Sequence, residues 1–171
     1  MKIFSIKTAK INIVINFRLV LSTLIFVSQL APVLAQSPWG KAKQSNTQYQ
    51  SQKVVYDVTA NSIVELAHVI DRVSSLNNIT GSDPFESSII VVLHGPEVRF
   101  FSQENYPKYK MLMDRAQSLT VGTTIKFKMG QLTAKYYGYE PENLLGFIQL
   151  VPLGDAEIIR LQVEEKYAYM R

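Results

Sequence analysis

Beyond residue 52, apolar runs with a period of two, or with no period, alternate with runs whose period is close to 3.6. Lys53–Val58 is a short β-rich run. Asn61 or Ser62 then caps a helix that extends to about Leu76. On its wheel Ile63, Leu66, Ala67, Val69, Ile70, Val73 and Leu76 fill one half, and Glu65, His68, Asp71, Arg72 and Ser75 fill the other. An apolar face this wide suits a helix laid on a sheet. Residues 77–87, with Gly81 and Asp83-Pro84, read as a loop.

Ser88–Leu93 carries the uninterrupted run Ile89-Ile90-Val91-Val92-Leu93, the mark of a strand covered on both faces and therefore central. After His94-Gly95-Pro96 and an irregular aromatic stretch, a helix is expected from about Pro107 to Leu119, with Tyr109, Leu112, Met113, Ala116 and Leu119 inward. Residues 124–129 set Ile125, Phe127 and Met129 against Lys126 and Lys128, which predicts a half-exposed strand nearer the sheet edge. A turn or two of helix follows from Gln131 to Tyr137, closed by Gly138, with a further short turn at Glu140-Pro141-Glu142. Phe147–Val151 is the last predicted strand and Asp155–Tyr167 the last helix. On that helix Glu157, Arg160 and Glu164 are expected to form an exposed charge ladder, while Gln162 falls in the apolar arc.

Strands that are each followed by a helix need crossover connections, which make a parallel sheet with helices on both faces. The expected fold is thus α/β, a three-layer α/β/α sandwich with a mainly parallel sheet. In such sheets ligands sit at the carboxyl ends of the strands, beside the point where strand order reverses. This rule nominates Asp57, Thr59 and Asn61 after the first strand and His94, Gly95 and Pro96 after the second. It nominates Gly130 and Gln131 after the third, and Gly154 and Asp155 after the fourth.

The segments before residue 53 are of another kind. Lys2, Lys7, Lys10 and Arg18 precede the apolar run Leu19–Leu30, and Pro32-Val33-Leu34-Ala35 follows it. A basic start, an apolar centre and small residues at Val33 and Ala35 make a secretory signal peptide over residues 1–35, cleaved after Ala35. Gln29 and Pro32 cut the apolar stretch below the roughly 20 residues that a membrane-spanning helix needs, which disfavours an uncleaved anchor. The expected location is the periplasm or the extracellular space. Residues 36–52, rich in Gln, Ser, Asn and Lys, read as a flexible polar linker, and residues 53–171 as the folded domain.

The formal charge of +4 changes meaning once its placement is considered. Four of the 18 basic residues lie in residues 1–35, where there is no acid, so beyond them bases and acids balance at 14 each. No basic stripe remains to bind a phosphate backbone, and nucleic acid is not an expected partner. The chain contains no cysteine, which excludes disulfides, thiolate metal sites and thiol nucleophiles. No Ser-His-Asp order, phosphate-cradling glycine loop or HExxH spacing is present, and two histidines without cysteine are a poor basis for a metal site. Neither a cofactor nor a bound metal is expected.

Three stretches carry a resemblance. They are Val91-Val92-Leu93-His94-Gly95-Pro96; Phe127-Lys128-Met129-Gly130-Gln131-Leu132-Thr133; and Val151-Pro152-Leu153-Gly154-Asp155-Ala156-Glu157-Ile158-Ile159-Arg160-Leu161-Gln162, which runs on to Tyr167-Ala168-Tyr169. In order and spacing they resemble the DsrE/DsrF-like sulfur-relay family from about Lys53 to the C-terminus. The resemblance implies a three-layer α/β/α fold and assembly into homo-oligomers, or hetero-oligomers with a DsrE-like paralogue. It also implies that the cysteine of relatives sharing the middle motif falls on Gly130, where a thiol at a helix start would gain thiolate character. Glycine supplies no nucleophile.

His94 is then a candidate base or ligand, set against a residue locked into turn hydrogen bonds; His68 is expected to be solvated. Tyr136, Tyr137 and Tyr139, with Phe100 and Phe101, are candidates for a subunit contact or for ordinary core. The expected function is a non-enzymatic, exported binding or assembly module linked to sulfur metabolism. The alternative is a small-molecule or anion binder using His94, Gly95, Asn61, Gly130, Gln131 and Gly154, and a sulfurtransferase is the least favoured reading.

Overall fold

A computed structural model describes residues 40–171 apart from 82 and 84. The expected signal peptide and the start of the linker lie outside the described residues. Residues 40–50 are exposed and carry no regular structure, in keeping with their lack of core-forming side chains. Residues 47–171 make up one unit.

Its elements are β1 (Lys53–Val58), α1 (Ile63–Thr80), β2 (Ser88–Leu93), α2 (Tyr106–Thr120), β3 (Ile125–Gly130), α3 (Gln131–Tyr136), β4 (Ile148–Val151), α4 (Gly154–Val163) and β5 (Ala168–Met170). Two 3-10 turns, Pro96–Phe101 and Pro141–Asn143, join β2 to α2 and α3 to β4. The sheet runs β4-β3-β2-β1-β5, and every pairing is parallel. β2 lies in the middle, as its unbroken apolar run requires.

Connection handedness explains the layers. The chain steps from β1 through β2 and β3 to β4 in one direction, then crosses back to place β5 outside β1. Right-handed crossovers therefore put α1, α2 and α3 on one face and α4 on the other. The cores agree. On one face Leu66, Ile70 and Val73 of α1, Met113 and Ala116 of α2 and Ala134 of α3 meet Val54, Tyr56, Ile89, Val91, Ile125 and Phe127. On the other, Ile158 and Leu161 of α4, with Tyr167, meet Val55, Ile90 and Val92. Each fully buried side chain of this kind contributes about 1.5–3 kcal/mol of burial free energy.

Several expectations need correction. α1 continues four residues beyond Leu76, to Thr80, whose hydroxyl bonds back to the Leu76 carbonyl, and Gly81 ends it at φ 81°. β3 does lie nearer the edge than β2, beside the edge strand β4, but it is buried along most of its length rather than half-exposed, with Lys126 alone outward. The sheet has five strands rather than four: the last helix stops at Val163, and Lys166 turns the chain at φ 60° into β5. Tyr167 is buried, with its hydroxyl donating to Ser88 Oγ at 2.7 Å.

The exposed ladder on the last helix is also overturned at Glu157. This carboxylate is buried beneath α4, paired with Lys128 of β3 and with Arg160. Lys128, expected on an exposed strand face, is covered by the same helix, whereas Lys126 remains exposed. The hydrogen bonds from Arg160, then those from Lys128, outweigh the opposing effect of burial and hold the Glu157 carboxyl at about 2. Gln162 is half-buried, and Phe100 and Phe101 belong to the core.

Candidate functional site

The carboxyl ends of the strands gather most of the nominated residues, in two separate groups. The first surrounds His94. Asp57, like Val55, points to the α4 face of β1; His94, like Val92, follows it on β2. His94 Nε2 bonds to Asp57 Oδ1, and Tyr169 of β5 donates its hydroxyl to Asp57 Oδ2. His94 Nδ1 faces Asp155 Oδ1 of α4 at 3.7 Å.

Burial alone would raise the Asp57 carboxyl, but the hydrogen bonds from Tyr169 and His94, helped by the Arg171 charge, hold it below the usual range. Bonding to that carboxylate holds the Tyr169 phenol above its ordinary value. With a carboxylate facing each ring nitrogen, His94 is well placed to tie β1, β2, β5 and α4 together. The same two carboxylates, Asp57 and Asp155, would repel an anion brought to this imidazole. Among the described residues, no group of three or more His, Cys, Asp or Glu side chains is arranged to hold a metal ion.

The nominated glycines serve close approach. A Cβ on Gly154 would meet His94 Cβ at 2.7 Å, so α4 can start against the imidazole only without a side chain. A Cβ on Gly130 would meet Gly154 N at 2.9 Å and Thr133 Oγ1 at 3.2 Å. Gly130 ends β3 and Gly154 begins the helix after β4, and the helices that follow these two strands leave to opposite faces. The crevice that a doubly wound sheet offers to ligands at such a point is here closed by backbone on backbone. At Gly95, a Cβ would meet Thr59 Cγ2 at 2.7 Å and Glu97 Oε2 at 2.8 Å. Gln131 follows Gly130 as the half-buried first residue of α3.

Glu97 was not foreseen from sequence. It is fully buried and accepts the Gly95 N–H at 2.8 Å and the Ala60 N–H at 3.0 Å. One carboxylate thus fixes the loops after β1 and β2 to each other. Its only sequence signal is a lone acid between apolar neighbours, Pro96 and Val98.

Asn61 is not part of the His94 group. It lines a cleft of about 410 Å³ on the α1 and α2 side, together with Ser62, Ile63, Arg99, Phe100, Asn105, Lys108 and Tyr109. Arg99 reaches across it to donate to the Asn61 carbonyl. His68 is exposed on α1.

Fold and site together define a thiol-free α/β/α sandwich with an all-parallel five-stranded sheet. A solved structure of this architecture is that of a protein of unknown function, MTH1491, from Methanobacterium thermoautotrophicum. It matches with a TM-score of 0.59 at 23% identity, over 71% of this chain and 99% of that one. At that identity the likeness concerns the fold. No family model and no curated protein matches the sequence.

Proposed function

We propose that the chain is an exported, non-enzymatic binding and assembly module of DsrE/DsrF-like build, working beside a cysteine-bearing paralogue in sulfur metabolism. The observation that carries this reading is the closed position at Gly130. Where the resemblance puts a relay cysteine, the space for its Cβ is taken by the Gly154 backbone, and no thiol exists elsewhere in the chain. Covalent sulfur carriage then has to fall to another subunit.

The surface next to the closed crevice supports assembly. Leu132 is bonded through its N–H to the carbonyl of Pro152, the residue before Leu153. Tyr136 lies one helical turn further along the same side of α3. Leu132, Leu153, Tyr136 and Tyr137 are exposed at 61%, 38%, 84% and 39%, and the two tyrosine rings meet edge to face at 5.2 Å. Aromatic and aliphatic side chains left in water at one spot are what a subunit contact uses.

Affinity capture from a periplasmic extract should recover a cysteine-bearing DsrE-like protein, and the Leu132→Ser/Tyr136→Ser double variant should lose it. A chain that stays monomeric in native mass spectrometry and recovers no such paralogue contradicts the proposal. Anion binding by His94 with the Gly130 and Gly154 turns is less well supported, because Asp57 and Asp155 face that imidazole.

A further inference from the structure

The cleft beside Asn61 has a chemistry unlike that of the His94 group. Two cations line it, Arg99 and Lys108, and neither forms an ion pair with an acid among the described residues. Each lies against a ring of the same wall: the Arg99 guanidinium is 4.9 Å from the Phe100 centroid, and the Lys108 ammonium 5.1 Å from that of Tyr109. Those rings pack edge to face at 5.0 Å. Ile63 adds an apolar contact, and Asn61, Ser62 and Asn105 add polar side chains.

Two carboxylates close in sequence to Asn61 and Arg99 are engaged elsewhere. Glu65 accepts the Asn61 N–H at 2.7 Å, Glu97 accepts Ala60 and Gly95, and neither lines the cleft. Glu65 also has its own N–H bonded to Ser62 Oγ, so the first turn of α1 is already capped. Two uncompensated cations against an aromatic wall, in a space of about 410 Å³, suit an anion with a flat apolar body.

We propose that this cleft binds a small organic anion, its charged group held by Arg99 and Lys108 and its body lying along the half-buried Tyr109 and Ile63. The site lies apart from the assembly surface and does not depend on it. Calorimetric titration of the mature chain with phenyl phosphate tests the proposal, with phenol as the uncharged control.

Phenyl phosphate should bind saturably and phenol should not, and added salt should weaken binding. Lys108→Gln and Arg99→Gln should each weaken it about tenfold or more, the loss of one charged hydrogen bond. The Lys108 ammonium makes no hydrogen bond within the described residues, so Lys108→Gln keeps the test valid even if Arg99→Gln disturbs the Asn61 loop. Absence of saturable binding, or binding equal in both variants and the wild type, would overturn the proposal.

Discussion

Replacing Glu97 should cost more stability than any surface acid, and the size of the loss follows from its two bonds. The carboxylate is fully buried and serves two main-chain N–H groups, Gly95 at 2.8 Å and Ala60 at 3.0 Å. A hydrogen bond to a charged group contributes about 1.5–3 kcal/mol net, and a buried N–H left unpaired costs a similar amount. Glu97→Ala strips both donors, giving an upper figure of about 6 kcal/mol. Relaxation of the two loops lowers this to an expected loss of about 3–5 kcal/mol.

Glu97→Gln keeps the shape and one acceptor but turns an NH2 group toward the other donor, so it should lose about half as much. Urea unfolding followed by far-ultraviolet circular dichroism measures both, with the midpoint falling and the slope unchanged. If both variants unfold within about 0.5 kcal/mol of wild type, the carboxylate does not join the two loops and this reasoning fails.

Gly130→Cys should destabilise the fold by about 1–3 kcal/mol, since its Cβ meets Gly154 N at 2.9 Å. Its thiol should react slowly with a disulfide reagent until urea is added, and a stable variant with a fast-reacting thiol would refute closure. Glu157, held at about 2 by Arg160 and Lys128, contributes stability that is present above its unfolded value and lost as pH falls. Glu157→Gln should therefore flatten the decline of stability between about pH 5 and pH 2, and an unchanged acid slope counts against the buried pair. The same variant leaves Lys128 beneath α4 without its carboxylate and should lose about 3–5 kcal/mol at neutral pH. Tyr169→Phe removes the bond to Asp57 and should speed amide exchange in β5 by native-state hydrogen exchange while β2 stays protected, whereas unchanged exchange would show that β5 is held by its ladder alone.

The layered architecture was legible in sequence because its signals are long: the apolar run of β2 and the apolar half of α1 each span enough residues for a period to show. β5 was not. Three residues carry no periodicity, and Tyr167 and Tyr169 read equally well as the end of a helix until Lys166 turns the chain. Lys128 and Glu157 were each placed on an exposed face by their charge, yet each neutralises the other once α4 crosses β3.

At the site, the strand-end rule found His94, Asp57, Asp155 and the glycines. What it could not supply was which side chains face one another. Asn61 turns to the α1 side while Asp57, four residues earlier, faces α4. Tyr169 and Glu97 entered through contacts distant in sequence.

The most direct test of the claim that this chain carries no sulfur covalently is the intact mass of the purified, partner-free protein. The mass would be measured under denaturing conditions after incubation with a polysulfide donor. The account predicts a mass identical to that of the untreated chain. A gain of one or more sulfur atoms that a reductant removes would contradict it.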